Sequence, residues 1–218
     1  MTNTTAAATG MADAPPTRIY LFKRFERFWH WSQALMIIIM FITGFEIHGT
    51  YAWLGFAQAV NVHTLAAWAL LALWAFTIFW QFTTGEWRQY LPTLKKADKM
   101  VVYYLWGIFH NAPNPFKKTQ VSKHNPLQRL AYLALLAAVS PLIWGSGLLY
   151  LFRAYWPSAG VDTWLSLQWV AYAHTAGAFM MLVFFFVHVY LTTTGHTPTA
   201  HIKTMITGWE EVEPDHHP

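Results

Sequence analysis

Four histidines, His30, His63, His174 and His188, stand in stretches that otherwise suit lipid. Two of them bracket HTAGAFMMLVFFFVH, fourteen positions apart. At about 100° per residue they fall within roughly 40° of one helix face and about 21 Å apart along the axis. Neutral imidazole is an axial ligand for haem iron. Polar groups inside a membrane span are functional candidates by default. A single membrane histidine can also do no more than hydrogen-bond a neighbouring helix, so the arrangement of the four has to decide.

The elements that must position them follow from composition. Of 218 residues, 55% are hydrophobic and 11% charged, whereas a soluble domain carries about 25% charge. Thirteen Trp and ten Tyr are ample for interfacial aromatic belts. The chain has no cysteine, which excludes disulfides, iron–sulfur clusters and thiolate chemistry within it. Its basic residues lie between apolar spans and form no stripe, so nucleic acid is not a partner. Four apolar stretches, about 28–47, 62–82, 127–152 and 169–193, can each cross a hydrocarbon core of about 30 Å. The expected fold is an all-α membrane protein, a four-transmembrane-helix bundle over residues 18–208. Residues 1–17 read as a disordered tail without the features of a signal peptide, and residues 209–218 as an acidic, histidine-bearing tail. Pro141 should kink the third span, and Gly145-Ser146-Gly147 beyond it allows close approach of a backbone or a flat ligand.

Charge orients the spans. Arg18, Lys23, Arg24 and Arg27 precede the first, and the second-to-third connection holds Arg88, Lys95, Lys96, Lys99, Lys117, Lys118 and Lys123. The other two connections contain at most Arg153. The positive-inside rule then makes both termini and the long middle connection cytoplasmic. Within that connection, KADKMVVYYLWGIFHN has helical apolar spacing beside lysines, suiting either an interfacial helix or a helix packed on the bundle. Span direction pairs the histidines by depth: His30 with His188 near the cytoplasm, His63 with His174 near the periplasm. Bis-histidine ligation of two b-type haems explains both pairs. Ala173, Ala176, Gly177 and Ala178 around His174, with Gly44 in the first span, leave room for a macrocycle. His48, five turns after His30, competes with His63 as a ligand but falls just past the first span. Glu46 reads as an interfacial carboxylate, and His196, His201, His216 and His217 as solvated.

The motifs RFERFWHW, VHTLAAW, KHNPLQRLAY and HTAGAFMMLVFFFVHVYL resemble the cytochrome b (gamma) subunits of formate dehydrogenase, thiosulfate reductase and nickel–iron hydrogenase complexes. The resemblance spans nearly the whole chain after residue 17. It implies the same histidine pairing, location in the bacterial inner membrane, and electron transfer between a periplasmic iron–sulfur subunit with its catalytic subunit and the quinone pool (menaquinone or ubiquinone). KHNPLQR resembles the family's quinone-binding segment, so Asn125 and His124 become quinone-contacting candidates, with His124 or His110 relaying protons. Pro126-Leu127 replaces the Ala-Gly of the formate dehydrogenase type, which tilts the match toward the thiosulfate reductase branch. Asn125 before Pro126 also suits a plain helix cap. The alternatives are a stand-alone cytochrome b561-type quinone oxidoreductase and, from another class, a divalent-metal transporter. The latter is disfavoured because the mid-span regions carry no carboxylate.

Overall fold

The computed structural model describes residues 17–212, apart from residues 111, 117, 121 and 196. The tail positions before residue 17 and after residue 212, with His196, His216 and His217, lie outside the described residues. In chain order the elements are β1 (Thr17–Tyr20), α1 (Arg24–Ile47), α2 (Phe56–Thr84), α3 (Ala97–Leu105), α4 (Pro126–Ala134), α5 (Ser140–Leu151), α6 (Trp156–Ala159), α7 (Leu167–Thr192), α8 (Ala200–Thr207) and β2 (Trp209–Val212).

Four helices are long and apolar enough to cross a membrane: α1, α2, the continuous stretch Pro126–Leu151, and α7. At 1.5 Å per residue they reach about 36–44 Å, longer than the hydrocarbon core requires. Their outward residues, among them Leu65, Phe79, Phe82, Val183 and Phe186, are large, apolar and exposed, as a lipid-facing surface requires. Each span stops for a local reason. Gly49 and Gly85 adopt φ of 77° and 75° just past α1 and α2, the left-handed turn that glycine permits at a helix C-terminus. Asn125 caps α4: its Oδ1 accepts from the Gln128 amide at 2.9 Å, and its own N–H donates to Gln128 Oε1 at 3.0 Å. The third span is continuous but contains a π-helical turn, Leu135–Val139, immediately before Pro141. The missing proline N–H is thus absorbed by widening the helix.

α1 packs closely on α2, and α5 on α7, whereas the two hairpins approach each other much less closely. Phe41–Phe185 (5.8 Å between ring centroids) and Trp74–Trp144 (4.5 Å) reach across between them. Gly177, which the sequence placed beside a macrocycle, instead closes the α5–α7 contact. A Cβ there would lie 3.2 Å from Ile143, so glycine lets these two helices meet.

β1 and β2 pair antiparallel, Arg18 opposite Glu211 and Tyr20 opposite Trp209, so residues 17–20 and 209–212 lie on one face. Residues 209–212, expected as part of a tail, form this strand. The same face carries the basic connection, as the bonds Lys23–Glu86 (2.6 Å) and Lys118–Glu210 (2.8 Å) show. This face is called the basic end below.

Candidate functional site

The cleft between the hairpins is where the four histidines meet. His30 on α1 faces His188 on α7 with ring centroids 6.0 Å apart. His63 on α2 faces His174 on α7 at 6.3 Å. One pair sits toward the basic end and the other toward the opposite end. Each pair bridges the two hairpins, and α7 supplies one member of both.

Hydrogen bonds fix the chemical form of the second pair. Thr43 Oγ1 donates to the Ile39 carbonyl at 2.8 Å, so it accepts from His63 Nδ1, 2.9 Å away. Ser146 Oγ donates to the Leu142 carbonyl at 2.5 Å, and His174 Nδ1 lies 3.0 Å from that oxygen and 3.1 Å from the Ile143 carbonyl. A carbonyl can only accept, so the proton of each ring is on Nδ1. The Nε2 lone pairs are left for a ligand, which is how metal-binding imidazoles are oriented. In the first pair, His188 stacks on Phe184 (5.7 Å, 17°) and His30 meets the edge of Trp31. His30 Nδ1 is buried without a hydrogen-bond partner.

The spacing fits an iron. Two imidazoles that held one iron between them, with metal–nitrogen bonds of about 2 Å, would have ring centres roughly 6.3 Å apart. Two imidazoles in direct hydrogen-bonded or stacked contact would come closer. Glycines also open the space beside the rings: a Cβ at Gly44 would lie 3.7 Å from His63 Cε1, and one at Gly147 3.3 Å from His174 Cε1. Gly145 borders open space.

His48 caps α1 and is exposed, while His63 holds the place opposite His174. Glu46 is buried, and its Oε1 accepts from the backbone amides of Trp53, Leu54 and Gly55 at 2.6–2.7 Å. It therefore clamps the α1–α2 connection. His201, expected in water, is half-buried on α8 with Nδ1 3.3 Å from the Thr192 carbonyl.

At the basic end the candidates Asn125 and His124 enter a polar cluster that no sequence pattern announced. Lys123 Nζ donates to Glu26 Oε1 and Oε2 (2.7 and 2.9 Å) and to Glu86 Oε2 (3.1 Å), and Lys23 completes the cluster through Glu86. Glu26 is one turn before His30, so Lys123 ties the 123–125 segment to the level of the His30–His188 pair. Asn125 is buried and its Nδ2 donates to Tyr104 Oη at 2.9 Å. The His124 ring lies among Tyr90, Tyr132 and Phe22. Burial, reinforced by the nearby Lys123 and Arg129 charges, pulls its pKa down to about 3, so it is neutral at pH 7. His110 is exposed and stacks on Trp106.

Four membrane-capable helices with imidazoles facing in pairs across an interior cleft define a small membrane cytochrome. The chain belongs to the prokaryotic cytochrome b561 family, whose model matches residues 21–208. It is 34% identical over 201 residues to a protein of Escherichia coli (strain K12) described as "Putative cytochrome YdhU", covering 88% of this chain and 74% of that one. No solved structure matches it. The protein is thus a multi-pass membrane cytochrome of the b type, an electron-transfer protein.

Proposed function

We propose that the chain is a dihaem membrane subunit that carries electrons between a periplasmic iron–sulfur partner, with its catalytic subunit, and the quinone pool of the bacterial inner membrane, as in formate dehydrogenase or thiosulfate reductase complexes. The observation that carries this reading is the presence of two facing imidazole pairs at two depths of one cleft. His30 and His188 would hold one b haem, and His63 and His174 the other. When bound, each haem supplies a one-electron iron centre. The chain's part is to present Nε2 to it, which Thr43, Ser146 and the Ile143 carbonyl do for one pair by holding the proton on Nδ1. The basic end faces the cytoplasm by the positive-inside rule.

Quinone reduction needs two electrons and two protons, a hydrogen-bond donor for each carbonyl, and access from lipid. Asn125 has a second amide proton besides the one given to Tyr104, and it sits near the level of the His30 pair. Proton supply from the basic end would pass the titratable side chains around it. The family description suits a stand-alone quinone oxidoreductase equally, and co-purification of a periplasmic iron–sulfur protein separates the two.

The test of the haem assignment is stoichiometry. The purified chain should carry two low-spin b haems, extractable by acid acetone because no cysteine can attach them. His174→Ala and His188→Ala should each remove one and leave the other. One haem per parent chain, or a high-spin spectrum, would sink the pairing.

A further inference from the structure

The helix α3 has two unlike faces. Its inner face is fully engaged: Met100 is completely buried, and Tyr104 receives the Asn125 amide hydrogen bond. Its outer face is apolar and bare. Val102 and Leu105, three positions apart, share that face, and Trp106 and Phe109 follow it in the cap and the 3-10 turn beyond; all four are 64–71% exposed. Lys95, Lys96 and Lys99 stand exposed at the start of the same helix. Leu91 and Leu94, in the connection between α2 and α3, are exposed as well.

We infer that this outer face is seated in the anionic leaflet of the protein's own membrane, with the lysines on lipid phosphates. Two observations select lipid over other occupants. α3 lies in the connection between the ends of α2 and α4, which are at one membrane surface. Lysines beside the apolar residues, with Trp106 at the helix end, match the composition of helices that lie in the headgroup region. The seat has a mechanical consequence within the fold: it fixes Tyr104, and Tyr104 holds the side chain that caps α4.

The absence of cysteine makes the test direct, since any introduced thiol is unique. Leu105→Cys, Phe109→Cys and, as the water-exposed reference on β1, Arg18→Cys all replace exposed side chains. They are spin-labelled in the full-length chain, reconstituted singly in lipid nanodiscs, and probed by collision with oxygen and with a water-soluble nickel chelate. Labels at 105 and 109 should favour oxygen several-fold over the chelate, and the label at 18 should show the reverse. In discs containing phosphatidylglycerol, Lys99→Gln should weaken the seating about fivefold, since each surface lysine contributes about that factor on an anionic membrane. In zwitterionic discs it should have no effect. The inference is overturned if the chelate reaches position 105 as freely as position 18, which would put that face in water. It is equally overturned if labels at 105 and 109 are immobilised and shielded from both reagents, which would mean that protein covers the face. Neither outcome depends on the number of haems or on a quinone.

Discussion

Replacing Lys123 with Met should cost about 3–5 kcal/mol of stability at pH 7, the range for breaking a buried ion pair by removing one partner. The structure makes the upper part of that range the expectation. Lys123 and Glu26 are each 4% exposed, and all three ammonium protons are used, two on Glu26 and one on Glu86. Without the ammonium, among the described residues Glu26 keeps only the Lys23 backbone amide at 2.7 Å, and Glu86 only the exposed Lys23 side chain. Removing the carboxylate as well, in Lys123→Met/Glu26→Gln, should recover most of the loss, because no uncompensated buried charge then remains at Glu26. The coupling between the two changes should therefore be at least about 3 kcal/mol, well above the additivity expected of independent sites. The assay is unfolding in mixed micelles with increasing denaturing detergent, followed by circular dichroism for parent, both singles and the double. The pH dependence carries a second signature through Glu86. Burial alone would raise its pKa, but the Lys23 and Lys123 bonds outweigh burial and hold it below the ordinary 4.5. Its pairing therefore stabilises fully above about pH 4.5 and is lost as pH falls through the lower folded value. The gap between parent and Lys123→Met should be full at pH 7 and narrow below about pH 4.5. A single variant within 1 kcal/mol of the parent, or a double no better than Lys123→Met, would refute this account of the cluster.

His124 is held neutral with a pKa of about 3 against an ordinary 6.5, so the unfolded chain binds its proton first. Stability from this group is complete above about pH 6.5 and falls as pH drops toward 3, and His124→Gln should flatten that limb in acid unfolding curves. Asn125→Asp keeps a good N-cap but removes the amide donor. It should unfold like the parent while weakening a quinone-site inhibitor by about 1–3 kcal/mol, read by titrating the haem absorption; unchanged inhibitor affinity would remove Asn125 from the quinone site. Gly147→Ala puts a methyl 3.3 Å from His174 Cε1. It should perturb the spectrum and potential of one haem only, whereas Gly44→Ala, at 3.7 Å from His63, meets ordinary contact and should change little. Reporter fusions at Lys118 and near Gly55 should report cytoplasm and periplasm respectively, and the reverse result would exchange the sides of the two histidine pairs.

The solvent, the number of spans and the depth that each histidine shares with another are legible in the order of the amino acids. These are one-dimensional properties: hydropathy sets span length, basic residues set direction, and a fixed rise per residue converts spacing into depth. The facing of His30 with His188 and of His63 with His174 follows from them once four helices close on one cleft. Asn125 before Pro126 was legible as a cap for the same reason, since capping is local. Tertiary structure alone decided the rest. Thr43 and Ser146 fix imidazole tautomers from other helices, and nothing in an apolar span marks a hydroxyl as facing a ring rather than its own backbone. Gly177 looked like room for a macrocycle and proved to be a helix–helix contact, because spacing gives a residue's face but not the neighbour across from it. Lys123 and Glu26 are 97 positions apart, and only the folding of the middle connection back under α1 removes both from water and makes each the other's necessary partner.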